Sequence, residues 1–350
     1  MRRRLKETRA KLQKLIELLR GKQALLIMMQ DHPDPDAIAC SVALREVAHL
    51  VPELNCSIVH GGIVGRVENR ALIGYLDLNL RQVNEVNLLG FDAVALVDTQ
   101  PGMGNNSLPD WLKPDIVIDH HPIRKASRGL PFTDIRSGYG AASTILCEYL
   151  IAANIKPEPP LATALLYGIR SDTQDLGRAS KKPDMDAYAY LYPEANLRML
   201  SQIAHARLPL RYFGLLHDAV HKASVCGNSI VANLGRVDIP DMMGEVADLL
   251  VRTVDVEWCL CIGVVSNVVL LSLRTTWQEA DAGKVMRRIV GSRGTGGGHQ
   301  KVAGGQIPLQ TGGDGEIAEV GRWVRKRFLK AVKQQSAECK PLIAEHEPNG

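Results

Sequence analysis

Residues 24–36 read Ala24-Leu25-Leu26-Ile27-Met28-Met29-Gln30-Asp31-His32-Pro33-Asp34-Pro35-Asp36, and a helical pattern over 37–50 follows them. The unbroken apolar run suits a strand buried on both faces, as in a parallel sheet, with a polar turn and a helix after it. The same grammar recurs downstream. A strand expected at 91–97 stops at Asp98, and one at 115–118 stops at Asp119-His120-His121. Helices are expected at 141–153 and at 161–169, the second ending in Arg170-Ser171-Asp172. Strand, polar turn and helix in repetition predict an α/β domain with a mostly parallel sheet.

Working outward, Leu5, Thr8, Leu12, Ile16 and Leu19 recur at helical spacing among charged residues, which predicts an amphipathic helix within 1–22 that packs on the body of the protein. The α/β domain is expected over 23–190, and a helical linker over 191–222. A smaller α+β domain is expected over 223–333, with strands at 229–234, 256–264 and 268–275 and a helix near 281–290. A glycine-rich segment at 291–305 and a final helix near 316–333 complete it. The polar end, 334–350, reads as a disordered tail. A chain of 350 residues is long enough for both domains to bury cores of their own.

A net charge of +4 is too mild for a protein that wraps long nucleic acid, but it leaves room for a short anionic ligand. Seven scattered cysteines, with no Cys-x-x-Cys pair, argue against a zinc knuckle and a disulfide scaffold and point to a reducing, cytoplasmic setting. No apolar run is long enough to span a membrane, and the basic start Met1-Arg2-Arg3-Arg4 lacks the apolar stretch of a signal peptide. No membrane partner is therefore expected.

In open parallel sheets, ligands collect just outside the C-terminal ends of the strands. That rule gathers His32, Asp34, Asp36, Asp98, Asp119, His120 and His121, with Asp172 able to join from its helix. Each alone has a plainer account. Asp34-Pro35-Asp36 could be a turn and helix cap, Asp98 a cap, Asp119 a turn residue, and the histidines solvated loop residues. Together, so many carboxylates would repel one another, and bound cations remove the conflict. A donor set of oxygen and nitrogen without thiolate suits hard or borderline divalent ions.

The motifs resemble those of the DHH phosphoesterase superfamily. Asp119-His120-His121 matches the motif that names it, alongside His32-Pro33-Asp34-Pro35-Asp36-Ala37, Leu96-Val97-Asp98-Thr99 and Gly168-Ile169-Arg170-Ser171-Asp172-Thr173. The smaller domain resembles the DHHA1 domain, whose Gly-Gly-Gly-His signature stands as Gly296-Gly297-Gly298-His299. The layout is most similar to the bacterial nanoRNase and 3′-phosphoadenosine-5′-phosphate phosphatase subgroup, and to RecJ-type exonucleases. In many members of that subgroup the first motif runs His-x-x-Pro-Asp-x-Asp, whereas here His32 stands two residues before Asp34.

The resemblance implies an α/β fold with an N-terminal parallel-sheet DHH domain, a smaller C-terminal α+β DHHA1 domain and an active site in the interdomain cleft. It implies two divalent ions, Mn²⁺ foremost with Mg²⁺ or Co²⁺ as substitutes. His32, Asp34 and Asp98 would hold one, and Asp36, Asp98, His120 and Asp172 the other. A bridging hydroxide would attack the phosphoester. His121 would contact the scissile phosphate, Asp119 would orient a histidine, and Arg274, Gly296, Gly297, Gly298, His299 and Arg293 would bind substrate. The implied partners are short RNA or DNA oligonucleotides or small nucleotides, and a homodimer is compatible with the pattern. A cyclic dinucleotide phosphodiesterase is a rival within the same chemistry. A nucleotide sensor that binds without hydrolysis is the rival outside it.

Overall fold

The computed structural model describes residues 2–238, 240–298 and 301–343, and among these no helix is long and apolar enough to cross a membrane. The chain divides into two compact units, Met1–Arg207 and Leu208–Gly350, and each is described by itself.

The first unit is built on a six-stranded, all-parallel sheet in the order β3-β2-β1-β4-β5-β6. Its strands are β1 (Ala24–Met28), β2 (Asn55–His60), β3 (Arg81–Gln82), β4 (Ala93–Val97), β5 (Ile116–Asp119) and β6 (Phe132–Ile135). Leu25 to Met28 and every residue of β4 and β5 are buried, as unbroken apolar runs require of strands covered on both faces. The helices are α1 (Arg2–Leu19), α2 (Pro35–Ala48), α3 (Val67–Tyr75), α4 (Ala142–Ala152), α5 (Pro159–Thr173), α6 (Lys182–Leu191) and α7 (Leu197–Ala204). Strand order reverses between β1 and β4, so their C-terminal ends flank the switch point where doubly wound sheets bind ligands.

Helix α1 packs on the body as its pattern predicts, burying Thr8, Leu12, Leu15 and Leu19. It also joins an ion network. Arg4 pairs with Glu148 at 2.9 Å and Asp186 at 2.6 Å, Lys11 with Asp134 at 2.5 Å, and Arg136 with Glu148 at 2.7 Å and Asp134 at 2.6 Å. Asp134 and Glu148 are buried, so this mutual pairing is what makes their burial tolerable.

The second unit is a seven-stranded mixed sheet in the order β11-β12-β10-β9-β8-β7-β13. Its elements are α8 (Leu210–Lys222), β7 (Ser224–Cys226), β8 (Ser229–Arg236), α9 (Asp241–Leu250), β9 (Trp258–Val265) and β10 (Val268–Thr275). After these come α10 (Ala282–Val290), β11 (Thr295–Gly298), β12 (Val302–Pro308), α11 (Asp314–Ala331) and β13 (Cys339–Pro341). Among the described residues of this unit only β8 and β9 pair in parallel. The segment read as a linker is thus two helices, α7 in the first unit and α8 in the second.

Two expectations are corrected here. Residues 334–343 are not a loose tail: β13 pairs antiparallel with β7, and Leu342 N–H donates to the Ala223 carbonyl at 3.0 Å. Residues 344–350 lie outside the described residues. Nor are the cysteines all free thiols, because Cys226 and Cys339 form a disulfide across that strand pair. The polar composition of the tail hid a strand whose stability comes from an edge partner and a covalent link. The glycine-rich segment is likewise a β-hairpin, with Gly296 opposite Gly305 and Gly297 opposite Gly304.

Candidate metal centre

The polar turn after β1 and the first turn of α2 carry the first acids. Asp34 is the N-cap of α2, its Oδ1 accepting from Ala37 N–H at 2.9 Å. Asp36, one turn in, is fully buried, and its carboxylate accepts from Ala142 N–H and Ser143 N–H at 2.7 Å each, at the start of α4. Anions are favoured at a helix N-terminus, so this contact fixes Asp36 without neutralising it.

Asp98 follows β4 with φ of 55°, a left-handed conformation that Asp and Asn tolerate better than other side chains. It is 1% exposed, and its Oδ1 lies 3.5 Å from His120 Nε2 and 3.8 Å from His121 Nδ1. His120 Nδ1 sits 3.3 Å from the Tyr139 carbonyl oxygen, which places the ring proton there and makes Nε2 the ligand atom. Asp172, near the end of α5, reaches to 3.2 Å from that Nε2. His121 is held by a 2.8 Å hydrogen bond from Nδ1 to Asp119 Oδ1. Asp119 therefore orients His121 rather than His120.

Electrostatics marks the cluster. Burial, then the charges of Asp172 and Asp36, push the Asp34 carboxyl up to about 7. Burial and Asp172 push Asp36 up to about 6 against the opposing pull of His120. Asp98 is raised well above the ordinary carboxylate range by burial and by Asp34, Asp36, Asp172 and Asp119. His120 would be lowered by burial, but the hydrogen bond and charge of Asp172 raise it to about 10. Asp119 moves the other way: burial would raise it, and the hydrogen bonds from His121 and Gln100 bring it below the usual value.

These residues fit a divalent ion on an observation independent of charge. Asp98 Oδ1 and His120 Nε2 are buried 3.5 Å apart and Nε2 has Asp172 Oδ2 at 3.2 Å, yet neither atom makes a well-aligned hydrogen bond among the described residues, a costly state for ligand-grade atoms. Two groups offer donor atoms within 4.8 Å of one another, Asp36 with His120 and Asp172, and Asp98 with His120 and His121. The set expected around His32, Asp34 and Asp98 is not gathered in this way among the described residues. His32 is exposed, with Nδ1 3.2 Å from the Ile63 carbonyl oxygen.

Two site residues, Gln30 and Gln100, and the packing role of a third, Gly168, escape a reading of the sequence alone. Gln30 Nε2 donates to Asp34 Oδ2 at 2.9 Å and to Asp98 Oδ2 at 3.4 Å. The signal was the spacing: in a His-x-x-Pro-Asp-x-Asp motif ending at Pro33-Asp34-Pro35-Asp36, the first position is Gln30. Gln100, fully buried, donates to Asp119 Oδ2 at 2.5 Å and accepts from Arg124 N–H and Ser127 Oγ, bracing the acid that orients His121. Gly168 lets α5 approach α2, since a Cβ there would lie 2.5 Å from Ser143 Oγ and 3.1 Å from Asp36 Cα. Gly168→Ala is expected to cost about 1–3 kcal/mol and to weaken Mn²⁺ binding, read as a lower melting temperature with a smaller rise on adding Mn²⁺.

The expected substrate residues of the second unit are mostly engaged. Arg274 is buried, its Nε bonded to Asp248 and its Nη1 3.1 Å from Ser272 Oγ. Arg293 stands over the Trp323 ring at 4.9 Å, with Glu319 at 3.9 Å. A Cβ on Gly296 would strike Met286 at 2.8 Å and one on Gly298 would strike the Val302 carbonyl, so packing demands both glycines. Gly297 meets nothing within 4 Å and presents open backbone. His299 lies outside the described residues.

The first unit thus combines an all-parallel sheet with an Asp/His cluster at its switch point, and a mixed α+β unit follows it in the chain. Residues 227–334 match the DHHA1 domain family, so the second unit carries a DHHA1 domain. The chain is 33% identical over 290 residues to the uncharacterized protein MJ1633 of Methanocaldococcus jannaschii, covering 82% of this chain and 59% of that one. It is 27% identical over 152 residues to a probable manganese-dependent inorganic pyrophosphatase of Lactococcus lactis, 43% of this chain and 48% of that protein. The chain thus spans little more than half the length of the first of these relatives and about half of the second. The crystal structure of an exopolyphosphatase-related protein from Bacteroides fragilis superposes with a TM-score of 0.70 at 14% identity, over 92% of this chain and 98% of the other, and shows the shared fold. Together these similarities show a DHHA1 domain over residues 227–334 and a fold shared with the Bacteroides fragilis protein.

Proposed function

We propose that the chain is a divalent-metal-dependent phosphoesterase acting on short oligonucleotides or on 3′-phosphoadenosine-5′-phosphate. The observation that carries this reading is the convergence of buried ligand atoms without well-aligned hydrogen bonds, Asp98 Oδ1 and His120 Nε2 with Asp172 Oδ2 beside them, at the switch point of the sheet. Asp36, Asp98, His120 and Asp172 would hold the ion. Mn²⁺ suits mixed carboxylate and imidazole donors, with Mg²⁺ or Co²⁺ as substitutes, and the manganese named for the Lactococcus relative supports that choice. When bound, such an ion supplies Lewis acidity toward a phosphoryl oxygen and toward water.

The rest falls to the chain. The Asp119 hydrogen bond keeps a proton on His121 Nδ1 and orients the ring, whose Nε2 donates to a phosphoryl oxygen when it too is protonated. Gln100 and the His120 N–H, 2.8 Å from Asp119 Oδ1, keep that carboxylate ionised and immobile. The open backbone at Gly297 is suited to close approach of an anionic group.

The test is a side-by-side turnover of RNA about two to five nucleotides long, 3′-phosphoadenosine-5′-phosphate and a cyclic dinucleotide, with and without Mn²⁺. Mn²⁺-dependent release of mononucleotide from the RNA, or of phosphate from the bisphosphate, is the expected result. Metal binding with no turnover of any phosphoester would replace this reading with a nucleotide-binding role.

A further inference from the structure

The cluster is not symmetrical about Asp98. On one side Asp36, His120 and Asp172 bring three donor atoms within 4.8 Å of one another. On the other side stands Asp34, and between it and Asp98 lies the amide of Gln30. Its Nε2 donates to Asp34 Oδ2 at 2.9 Å and to Asp98 Oδ2 at 3.4 Å. Its Oε1 accepts from Asn105 Nδ2 at 3.5 Å, and Asn105 in turn accepts from Thr99 Oγ1 at 2.6 Å. The amide is thus oriented from both ends, with its donor end toward the two carboxylates.

This arrangement already satisfies the Asp34 side. Asp34 Oδ1 takes the Ala37 N–H and Oδ2 takes Gln30, while Asp98 keeps only Oδ1 without a hydrogen-bond partner. An ion on that side would have to displace a neutral donor and would find two carboxylates and no imidazole, because His32 is exposed and turned to the Ile63 carbonyl. Gln30 could serve as a ligand only with its amide turned end for end, which would give up Asn105. The two donor groups among the described residues both contain His120, and neither contains Asp34.

From this geometry we infer that Gln30 closes the second metal position, so that the free protein holds one divalent ion tightly, on Asp36, Asp98, His120 and Asp172. The inference rests on reading the cluster as a metal centre, and it adds the number of ions and the residue that sets it.

The test uses the full chain, stripped of metal and titrated with Mn²⁺ by calorimetry, with electron paramagnetic resonance of the loaded protein. The expected result is about one ion per chain and the hyperfine sextet of an isolated Mn²⁺. Gln30→His places an imidazole between Asp34 and Asp98. It is expected to raise uptake to about two ions, to strengthen the second site about tenfold or more, and to replace the sextet with the broadened spectrum of a coupled pair. Wild-type protein that takes up a coupled pair would overturn the inference and leave the metal-centre reading standing. Absence of any Mn²⁺ uptake would overturn both. A Gln30→His variant that melts like the wild type yet stays with a single isolated ion would overturn the role given to Gln30.

Discussion

Asp98→Asn is expected to abolish manganese-dependent turnover and to stabilise the metal-free protein at the same time. Asparagine keeps the shape of the side chain and tolerates the left-handed backbone at this position, where φ is 55°, so the change removes the charge with little strain. What it removes is a buried carboxylate held near Asp34, Asp36 and Asp172, each of which raises it. In the wild type, Mn²⁺ at about 100 times its dissociation constant should add roughly 2.7 kcal/mol of stability. For a unit of about 200 residues that is a rise in melting temperature of roughly 5–10 °C. The variant should show almost none of this rise and should lose at least about 100-fold in turnover, since a ligand matters no less than its supporting residues.

The same cluster sets a pH dependence whose sign can be worked out. Asp34 at about 7 and Asp36 at about 6 lie above the unfolded carboxyl value near 4, so their contribution is fully present below that value and is lost as pH rises through 6 to 7. His120, raised to about 10, acts in the same direction at higher pH. Asp98, raised well above the ordinary carboxylate range, adds the same trend in the wild type alone, so chelated wild-type protein should lose stability relative to Asp98→Asn as pH rises above about 4. Mn²⁺ should reverse the trend, because it binds ionised carboxylates and neutral imidazole. Parallel stability profiles for the chelated proteins would show that Asp98 is not held above the ordinary carboxylate range.

Reducing the Cys226–Cys339 disulfide is expected to lower the stability of the second unit by about 2–4 kcal/mol. The two cysteines are 113 residues apart, so the link removes a large share of the unfolded chain's freedom, with an entropic ceiling of about 5 kcal/mol. It also pins β13, an exposed strand at the sheet edge that pairs with β7. In a unit of this size the melting temperature should fall by roughly 6–15 °C on reduction. Cys226→Ser should melt at the lower temperature with or without reductant. A melting temperature indifferent to reductant in the wild type would show that the link contributes nothing under those conditions.

Much of the architecture is legible in short stretches of the chain. The runs at 24–29, 91–97 and 115–118 announce strands covered on both faces, because only such strands tolerate unbroken apolar sequence. The acids and histidines that end them announce where a ligand would collect. Short or polar strands are not legible in this way. β2 opens with Asn55, Cys56 and Ser57, β3 is two residues long, and β13 is wholly exposed, so none carries a hydrophobic period. The hairpin of β11 and β12 hides in glycines, which lack strand propensity and are there because Met286 and the Val302 carbonyl leave no room for a Cβ.

The sequence by itself determined which side chains are available for chemistry. Asp36, Asp98, His120 and Asp172 stand at element ends that local periodicity alone locates. Only the tertiary structure decided which atoms meet. It set Asp98 Oδ1 against His120 Nε2, gave Asp119 to His121, turned His32 toward Ile63 and laid the Gln30 amide across Asp34 and Asp98. The physical reason is range. Propensity and burial act over a few neighbouring residues, whereas these contacts depend on strand order and helix approach between segments far apart in the chain.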